Sequence, residues 1–329
     1  MNIRTFDWRD LPTLQRYRQQ SVFLNSALVL TRGPVLLSGA LLSSLAPGMG
    51  VFTSVSVSGG NANPVIIGQL MHSSGAPCAQ LTFLTPEKAL ESDGLLPLLD
   101  YLSVQAVEKG AFHVLADVDE QSAAFDALRQ AGFAIFARQR IWRLAGQPVG
   151  ESKPFAWRAA KDQDLIAVRS LYNNLVPGLV QQVEPFPADR LRGLVYGKGN
   201  DLLAYVELKY GNRGVWAQPF IHPDAEDAAE HLAGLFQNLP HRHSRPVYVC
   251  VRSYQFWLEQ AIGGMGAEPG PRQAMIVKHL AVAQKAARAF ALPAIESGHP
   301  EASAPIAHSQ AYPYESAVGE PMVLCRSDE

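Results

Sequence analysis

The stretch FDALRQAGFAIFARQRIW, residues 125–142, joins a helical pattern to a strand pattern at a single glycine. Ala124, Leu128 and Ala131 fall at three- and four-residue spacings, which place side chains on one face of a helix. Gly132 stands where a helix commonly ends in a left-handed residue, a conformation that costs glycine little. The residues after it alternate as in a strand. The stretch therefore predicts a helix that ends at Gly132 and runs directly into a strand.

The beginning of the chain is similar to a segment near its middle at a constant offset. Arg4 corresponds to Arg158 and Asp10 to Asp164, and apolar residues follow each aspartate. Each segment is typical of a strand followed by a helix whose aspartate can cap the free N–H groups of the first turn. The chain thus contains an internal repeat that begins with a strand and a helix.

The ends of the two copies also correspond. A strand at 112–118 precedes the helix and strand quoted above, and residues 247–280 repeat this order. The later copy contains a strand at 247–251, a helix at 255–261, a glycine-rich stop at 263–266 and a strand at 272–280. We therefore predict two similar α/β domains, 1–145 and 155–283, joined by a linker at 146–154. The remaining 284–329, rich in Pro, Ala and Ser, is expected to be a largely flexible tail.

The middle of each copy predicts paired strands. Residues 65–71 and 79–84 flank a turn in the first copy, and residues 201–209 and 214–221 do so in the second. Hairpin pairs followed by alternating strands and helices indicate a mixed, twisted sheet with helices on both faces. The fold class is therefore α/β.

Composition narrows the functional class. The 329 residues carry a net charge of -2 and show no basic stripe, which speaks against a nucleic-acid partner. Three widely spaced cysteines without metal-type spacing favour a reducing compartment. The first residues lack the apolar core of a signal peptide. We therefore expect a cytoplasmic location and no metal centre.

Residues 33–52 form an uncharged, apolar segment that needs separate consideration. Its length is close to that of a membrane span, but glycines and prolines interrupt it. A buried helix with a loop, or an apolar flap over a cleft, is the favoured interpretation, so no membrane partner is expected. A second copy of the chain could also cover such a surface, which would give a homodimer.

The order of elements resembles the GNAT (Gcn5-related N-acetyltransferase) fold, occurring twice in one chain. The nearest local match is AFDALRQAGF, residues 124–133, which is similar to that family's closing helix and the strand after it. The resemblance implies that acetyl-CoA or another acyl-CoA is a co-substrate, bound where two central strands splay apart. It places the splayed strand at 80–85 in the first copy and at 218–222 in the second.

The resemblance also implies which residues line the cofactor site. Backbone N–H groups near the end of each splayed strand would hold the oxyanion. The loop and helix start that follow would face the pyrophosphate. The implied cofactor-binding residues are Phe83, Leu84, Thr85, Gly94 and Leu95 in the first copy, and Phe220 and Ile221 in the second.

Both copies depart from the family pattern. The loops at 86–95 and 223–230 lack the family's glycine-rich sequence and carry mainly acidic side chains. These carboxylates would repel a pyrophosphate at short range. The position of the family's proton-donating tyrosine holds Leu128 in the first copy and Ile262 in the second, and neither side chain can donate a proton.

Two residues are candidate general bases by their position near the implied cleft of the second copy. Glu207 lies on a central strand, although strand alternation could also place it on the solvent face. His222 could accept a proton from an amine, or it could end a strand while Asp224 caps the next helix. Glu207 and His222 are the predicted catalytic residues.

Two functions remain open on the sequence. The first is a GNAT-like N-acyltransferase that transfers an acetyl or acyl group to a small-molecule or peptide amine. The alternative is a catalytically inactive GNAT-fold protein that serves in binding or as a scaffold. Fold alone does not choose between them, because function depends on the site.

Overall fold

The structure is a computed structural model that describes residues 2–34, 50–57, 65–149, 156–186, 191–198, 201–225 and 227–280. Most of the apolar segment 33–52, most of the linker 146–154 and the whole tail 284–329 lie outside the described residues. The expectations for these segments, and the domain boundaries, stay predictions.

Strands and short helices alternate along the chain. The strands are β1 (Asn2–Thr5), β2 (Val22–Phe23), β3 (Val51–Val57), β4 (Ile66–His72), β5 (Cys78–Thr85), β6 (His113–Asp119), β7 (Ala134–Leu144), β8 (Arg158–Ala159), β9 (Gly193–Lys198), β10 (Asp201–Tyr210), β11 (Val215–Ile221), β12 (Val247–Arg252) and β13 (Glu268–His279). The helices are α1 (Leu11–Tyr17), α2 (Ser26–Arg32), α3 (Leu95–Glu108), α4 (Ala123–Gln130), α5 (Leu165–Leu175), α6 (Gly178–Val183), α7 (Ala228–Gln237) and α8 (Leu258–Gly264).

The described strands form one continuous mixed sheet. Their order is β1-β3-β4-β5-β6-β13-β7-β12-β11-β10-β9-β8, and the short β2 pairs with β5. Only the β5–β6 and β11–β12 pairs are parallel in the described part of the sheet. We call the part up to β7 the first half and the part from β8 the second half.

Alternate residues of β13 show that the sheet is covered on both faces. Ala274 and Ile276 belong to a core with α3 and α4. Met275 and Val277 belong to another core with α5 and α6, on the opposite face. The helices α7 and α8 cover the second half with a core of their own. The predicted α/β class, with a mixed sheet and helices on both faces, is confirmed.

The last strands of the two halves are exchanged at the centre of the sheet. β13 of the second half lies between β6 and β7, and β7 of the first half lies between β13 and β12. Gln139 pairs in register with Gln273, and these two residues occupy equivalent positions in the two copies. Each half therefore completes its sheet with a strand of the other, and no break in the sheet separates the two predicted domains.

Helices also cross between the halves. α2 of the first half packs Ala27 and Leu30 beside Trp216 of β11, and Arg213 N–H donates to Thr31 O at 2.8 Å. α6 of the second half reaches the first, where the Cys78 thiol donates to Val183 O at 3.0 Å. The two halves are thus interlocked by both strands and helices.

The glycine stops predicted for the repeat are confirmed, but the predicted capping of the first helices by Asp10 and Asp164 is wrong. Neither side chain caps its helix, and each carboxylate accepts instead from the backbone N–H three residues earlier. Gly132 and Gly266 have φ angles of +88° and +82°, the left-handed conformation expected at the helix ends. Arg4 forms a two-point ion pair with Asp10 at 2.6 and 2.7 Å, and Arg158 binds Asp164 at the same distances. The second copy of the closing helix begins at Leu258, later than predicted, because Gln255 lies in a short 3-10 turn.

Candidate functional site

The first half contains a wedge between two diverging parallel strands. β5 and β6 pair only where Cys78–Gln80 meets residues 113–115, and beyond this point the strands separate. Gln69 pairs with Phe83 whereas Leu70 pairs with Leu81, so Thr82 is an extra residue in the β5 ladder. A bulge of this kind bends a strand and turns it away from its neighbour. The predicted splay of this strand is therefore present.

The wedge of the first half is occupied by the chain itself. β2 pairs with the free edge of β5, with Val22 opposite Leu84 and Phe23 opposite Phe83. Leu24, fully buried, continues the pairing on both sides: its N–H donates to Thr82 O at 2.9 Å, and its C=O accepts from Asp117 N–H of β6 at 2.9 Å. The segment from Val22 to Leu24 thus bridges the two strands in the wedge.

Buried polar side chains hold this inserted segment in place. The Asp117 carboxylate accepts from Ser26 N–H at 2.8 Å and from Gln80 Nε2 at 3.3 Å, and Gln80 Nε2 also lies 3.3 Å from Leu24 O. Burial raises the pKa of Asp117 above its ordinary value, against the opposing effect of the Ser26 N–H. The inserted segment is therefore an integral part of the first half.

The second half has an equivalent wedge that is closed differently. β11 and β12 pair only where residues 215–217 meet 247–249. Beyond this point the side chain of Gln255, which is 1% exposed, bridges the free edge of β11. Its Oε1 accepts from Ile221 N–H and its Nε2 donates to Pro219 O, both at 2.9 Å. A single amide side chain here satisfies the backbone groups that β2 satisfies in the first half.

A buried ion pair lies beside the second wedge. Arg252, at the end of β12, is 5% exposed and places Nη2 2.9 Å from an oxygen of Glu184. Burial opposes its charge, but Glu184 and neighbouring groups raise the pKa of Arg252. Its Nε and Nη1 atoms are buried without a hydrogen-bond partner among the residues that the structure describes. These two N–H groups could bind an acceptor atom of a ligand that entered the wedge.

The structure does not bring the two predicted bases together. Glu207 is half-buried, pairs with Gln218 on β11 and has an oxygen 3.4 Å from Lys209 Nζ. His222 follows β11, four residues after Gln218, which corresponds to about 13 Å along an extended strand. The His222 ring accepts from Asp224 N–H at 3.2 Å and is partly exposed. As catalytic residues, Glu207 and His222 stay a prediction.

The capping role considered for Asp224 is wrong. α7 begins at Ala228 and has Asp227 at its N-cap position, so Asp224 lies before the helix in an exposed turn. Its N–H is instead held by the His222 ring.

The residues predicted to bind the cofactor in the first half face the chain's own atoms. Phe83 and Leu84 are 2% and 0% exposed and pair with β2. The hydroxyl of Thr85 donates to Tyr17 O at 3.1 Å. Gly94 and Leu95 are buried at the start of α3. Their cofactor-binding role stays a prediction, and it requires that β2 first leave the wedge.

The corresponding residues of the second half are also buried. Phe220 packs between aromatic rings of Tyr172 and Tyr205, at centroid distances of 5.6 and 6.1 Å. Ile221 is 1% exposed, and its N–H is bound by Gln255. Access of a cofactor to the backbone of this strand requires that the Gln255 side chain move.

The helix starts that would face a pyrophosphate carry exposed acidic groups. Glu87, Glu91 and Asp93 precede or border the start of α3, and all three are exposed. Glu230 lies in the first turn of α7. The positions of the missing tyrosines are core positions, because Leu128 and Ile262 are almost fully buried. The described geometry therefore provides neither a suitable anion site nor an obvious acid.

A metal site, a membrane span and a ligand cavity each have requirements that can be compared with the described residues. No cluster of three or more His, Cys, Asp or Glu side chains there could hold a metal ion. Among the described helices, none combines the length and apolar character that a membrane span requires. A cavity of about 210 Å³ lies between β1, β3 and the end of α3, lined by Phe6, Phe52 and Lys109 among others, away from both wedges.

Gln255 and the inserted segment were not singled out by the sequence. β2 is two residues long and follows a helical turn, so it lacks the alternation that predicts a strand. Gln255 belongs to residues 255–261, which the sequence predicts to be a helix. Gln255 is the first residue of the segment QFWLEQA. If this segment packs on the sheet, a polar side chain at that position is buried and needs a hydrogen-bond partner, and this is the signal that could have found it.

Comparisons with known proteins address the fold. Neither the protein-family models nor the curated proteins give a match to the chain. Among solved structures, a GCN5-related N-acetyltransferase from Sphaerobacter thermophilus is similar with a TM-score of 0.51 and 12% identity, over 84% of this chain and 95% of that one. A tandem GNAT protein from the clavulanic acid biosynthesis pathway has a TM-score of 0.47 and 17% identity, over 84% and 98%.

A GNAT-family acetyltransferase from Colwellia psychrerythraea has a TM-score of 0.43 and 15% identity, over 85% of this chain and 100% of that one. Sequence identities this low support a common fold but do not show a common activity. The similarity to the Sphaerobacter thermophilus structure agrees with the splayed parallel strands in each half and with the helix–glycine–strand closure. The chain has the α/β fold of the GCN5-related N-acetyltransferases.

Proposed function

We propose that this chain is a non-catalytic GNAT-fold protein that acts in binding or as a scaffold, with both acyl-CoA wedges closed by its own residues. The observation that carries the proposal is the inserted segment Val22–Leu24, which uses the β5 edge between the diverging strands. A thioester cofactor bound in the wedge would need the same backbone groups. The acidic loops before α3 and α7 add electrostatic repulsion toward a pyrophosphate.

A specific observation favours acyl transfer in the second half as the other candidate. That wedge contains no inserted strand, and one side chain, Gln255, closes it. Arg252 adds two buried N–H groups that could bind a carbonyl oxygen. In this candidate function, an amine would attack the acyl carbonyl carbon to form a C–N bond, while backbone N–H groups near Phe220–His222 held the oxyanion. Glu207 or His222 would accept the amine proton, the C–S bond would break, and the CoA thiolate would leave and take a proton from water. The substrate would be a small-molecule or peptide amine.

The deciding experiment is a titration of the full chain with acetyl-CoA and longer acyl-CoAs, followed by calorimetry and thermal unfolding. A ligand at a hundred times its dissociation constant stabilises a protein by about 2.7 kcal/mol. We expect no heat of binding and no stabilisation in the folded wild type. Binding of any acyl-CoA by the wild type would reject the proposal that both wedges are closed, and acyl transfer to an amine would reject the non-catalytic proposal.

One variant tests the second wedge, and two more test the candidate bases. Gln255→Ala frees the Ile221 N–H and the Pro219 C=O, so binding gained only in this variant would favour the second half as a cofactor cleft closed by one side chain. Where binding occurs, Glu207→Gln and His222→Ala are assayed for acyl transfer. Unchanged turnover in both would remove them as bases.

A further inference from the structure

Two histidines meet at the end of the exchanged strand. His279 of β13 stands directly opposite His113 of β6, with the two Nδ1 atoms 3.1 Å apart and the ring planes at 88°. His279 is exposed and His113 is half-buried. The backbone beside them is fixed, because Leu280 N–H donates to Phe112 O at 2.9 Å. The pair therefore presents two nitrogens at the surface from a rigid frame.

We propose that His113 and His279 together bind one divalent late transition-metal ion, which links the two halves of the protein. Two nitrogens bound to one ion at about 2.0–2.1 Å lie about 2.9–3.4 Å apart for angles of about 90–110°. The observed separation falls inside this range, so one ion could bind both nitrogens in place of the shared proton once the two rings turn toward it. Imidazole is a preferred ligand of copper, nickel and zinc.

Cys78 is the nearest further ligand type in the same row of the sheet. It pairs in register with His113 on the neighbouring strand β5. Its thiol is, however, engaged by Val183 O at 3.0 Å, and burial together with Glu184 raises the pKa of Cys78 to about 11. A thiol in this state is a poor metal ligand, because the thiolate is the binding form. No third His, Cys, Asp or Glu side chain of the described residues completes a cluster with the pair, so water would fill the remaining coordination positions.

The position of the pair gives the ion a structural role. One ligand belongs to each half, and both lie where the exchanged strand β13 ends on β6. An ion that binds the folded state stabilises it by mass action. Metal binding would therefore strengthen the exchange that joins the two halves. This inference does not involve either wedge and is independent of the proposed function.

The test uses the full chain, first stripped of metal and then titrated with copper(II) chloride. Calorimetry measures the affinity, and electron paramagnetic resonance counts the nitrogen ligands. We expect a site with two nitrogens in the wild type. Either His113→Asn or His279→Asn should weaken it roughly a hundredfold, because the second imidazole binds intramolecularly. Thermal stabilisation by the ion should disappear in the same variants.

Two matched controls define the site. The first control, His241→Asn, alters another pair of surface histidines, His241 and His243, whose ring centroids are 6.2 Å apart. The second control, Cys78→Ser, removes the thiol next to the proposed site. Both should keep the wild-type affinity and the two-nitrogen signal. An unchanged affinity in His279→Asn, or an equal loss in His241→Asn, would overturn the proposal. His279 is exposed, so its substitution remains informative even if His113→Asn folds poorly.

Discussion

The two wedges of one sheet are closed by different means. In the first half a stretch of backbone, Val22–Leu24, pairs with β5 and also reaches β6. In the second half one side chain, Gln255, bridges two backbone groups of β11. The common requirement is that buried N–H and C=O groups find partners wherever two strands separate. A peptide segment and an amide side chain meet that requirement equally well.

The strands β5 and β11 differ in geometry near the points where they leave their parallel neighbours. β5 contains an extra residue, Thr82, at the point where it leaves β6, and such a bulge increases the bend of a strand. The described pairing of β10 with β11 has no corresponding shift in register. The first closure involves a backbone segment with the buried Leu24 side chain, whereas the second involves one side chain. Opening the first wedge should therefore cost the protein more than opening the second.

The largest effect is expected at the inserted segment. Leu24→Ala should lower the free energy of unfolding by about 3 kcal/mol, because it removes a fully buried side chain from the core of the first half. Urea denaturation measures the change. Leu24→Met is the matched control, since a swap of similar volume usually costs less than about 1.5 kcal/mol. Equal, small losses in both variants would mean that the segment is not a structural part of the wedge.

A smaller effect is expected at the second wedge. Gln255→Ala leaves Ile221 N–H and Pro219 C=O without their partner, which should cost about 2 kcal/mol if water partly replaces the amide. Gln130→Ala, at the exposed end of α4, is the control and should stay within about 0.5 kcal/mol of the wild type. A loss at Gln255 as large as that at Leu24 would contradict the proposed difference between the wedges.

The smallest effect concerns a feature that the halves share. Arg158 lowers the pKa of Asp164 despite burial, and the pKa of Asp10 is lowered because Arg4 and Asp7 N–H outweigh its burial. Asp10→Asn and Asp164→Asn should each cost about 1 kcal/mol near neutral pH, since the arginines are largely exposed. The two losses should add in the double variant, because the sites lie in separate halves.

The pH dependence of these losses has a definite sign. A carboxyl whose pKa is lowered in the folded state contributes its full stability above the ordinary value, 3.8, and loses it as the pH falls through the folded pKa. The difference between each variant and the wild type should therefore shrink as the pH falls below about 4. Urea midpoints measured across acid pH test this, and a loss that is constant or grows toward low pH would be inconsistent with the ion pairs.

The repeat and its local chemistry were predictable from the sequence. The glycine that ends each closing helix acts through neighbours a few residues away, whereas the predicted cap by each first aspartate does not form. Most of the predicted strands lie within one or two residues of their observed bounds, but β13 begins four residues earlier than predicted, and β3 and β9 were not predicted. The candidate site was less accessible to sequence reasoning, because β2 is two residues long and Gln255 acts on residues more than thirty positions earlier in the chain.

The sequence by itself therefore determined the repeated start and closure of each half and the fold class, since these depend on periodicity and turn residues within a short window. The tertiary structure alone decided that β7 and β13 change places and that each wedge is closed from within. The physical reason is that a strand pattern specifies which face is buried but not which neighbouring edge its backbone will bind. That choice depends on groups that are distant in sequence and meet only in the folded sheet.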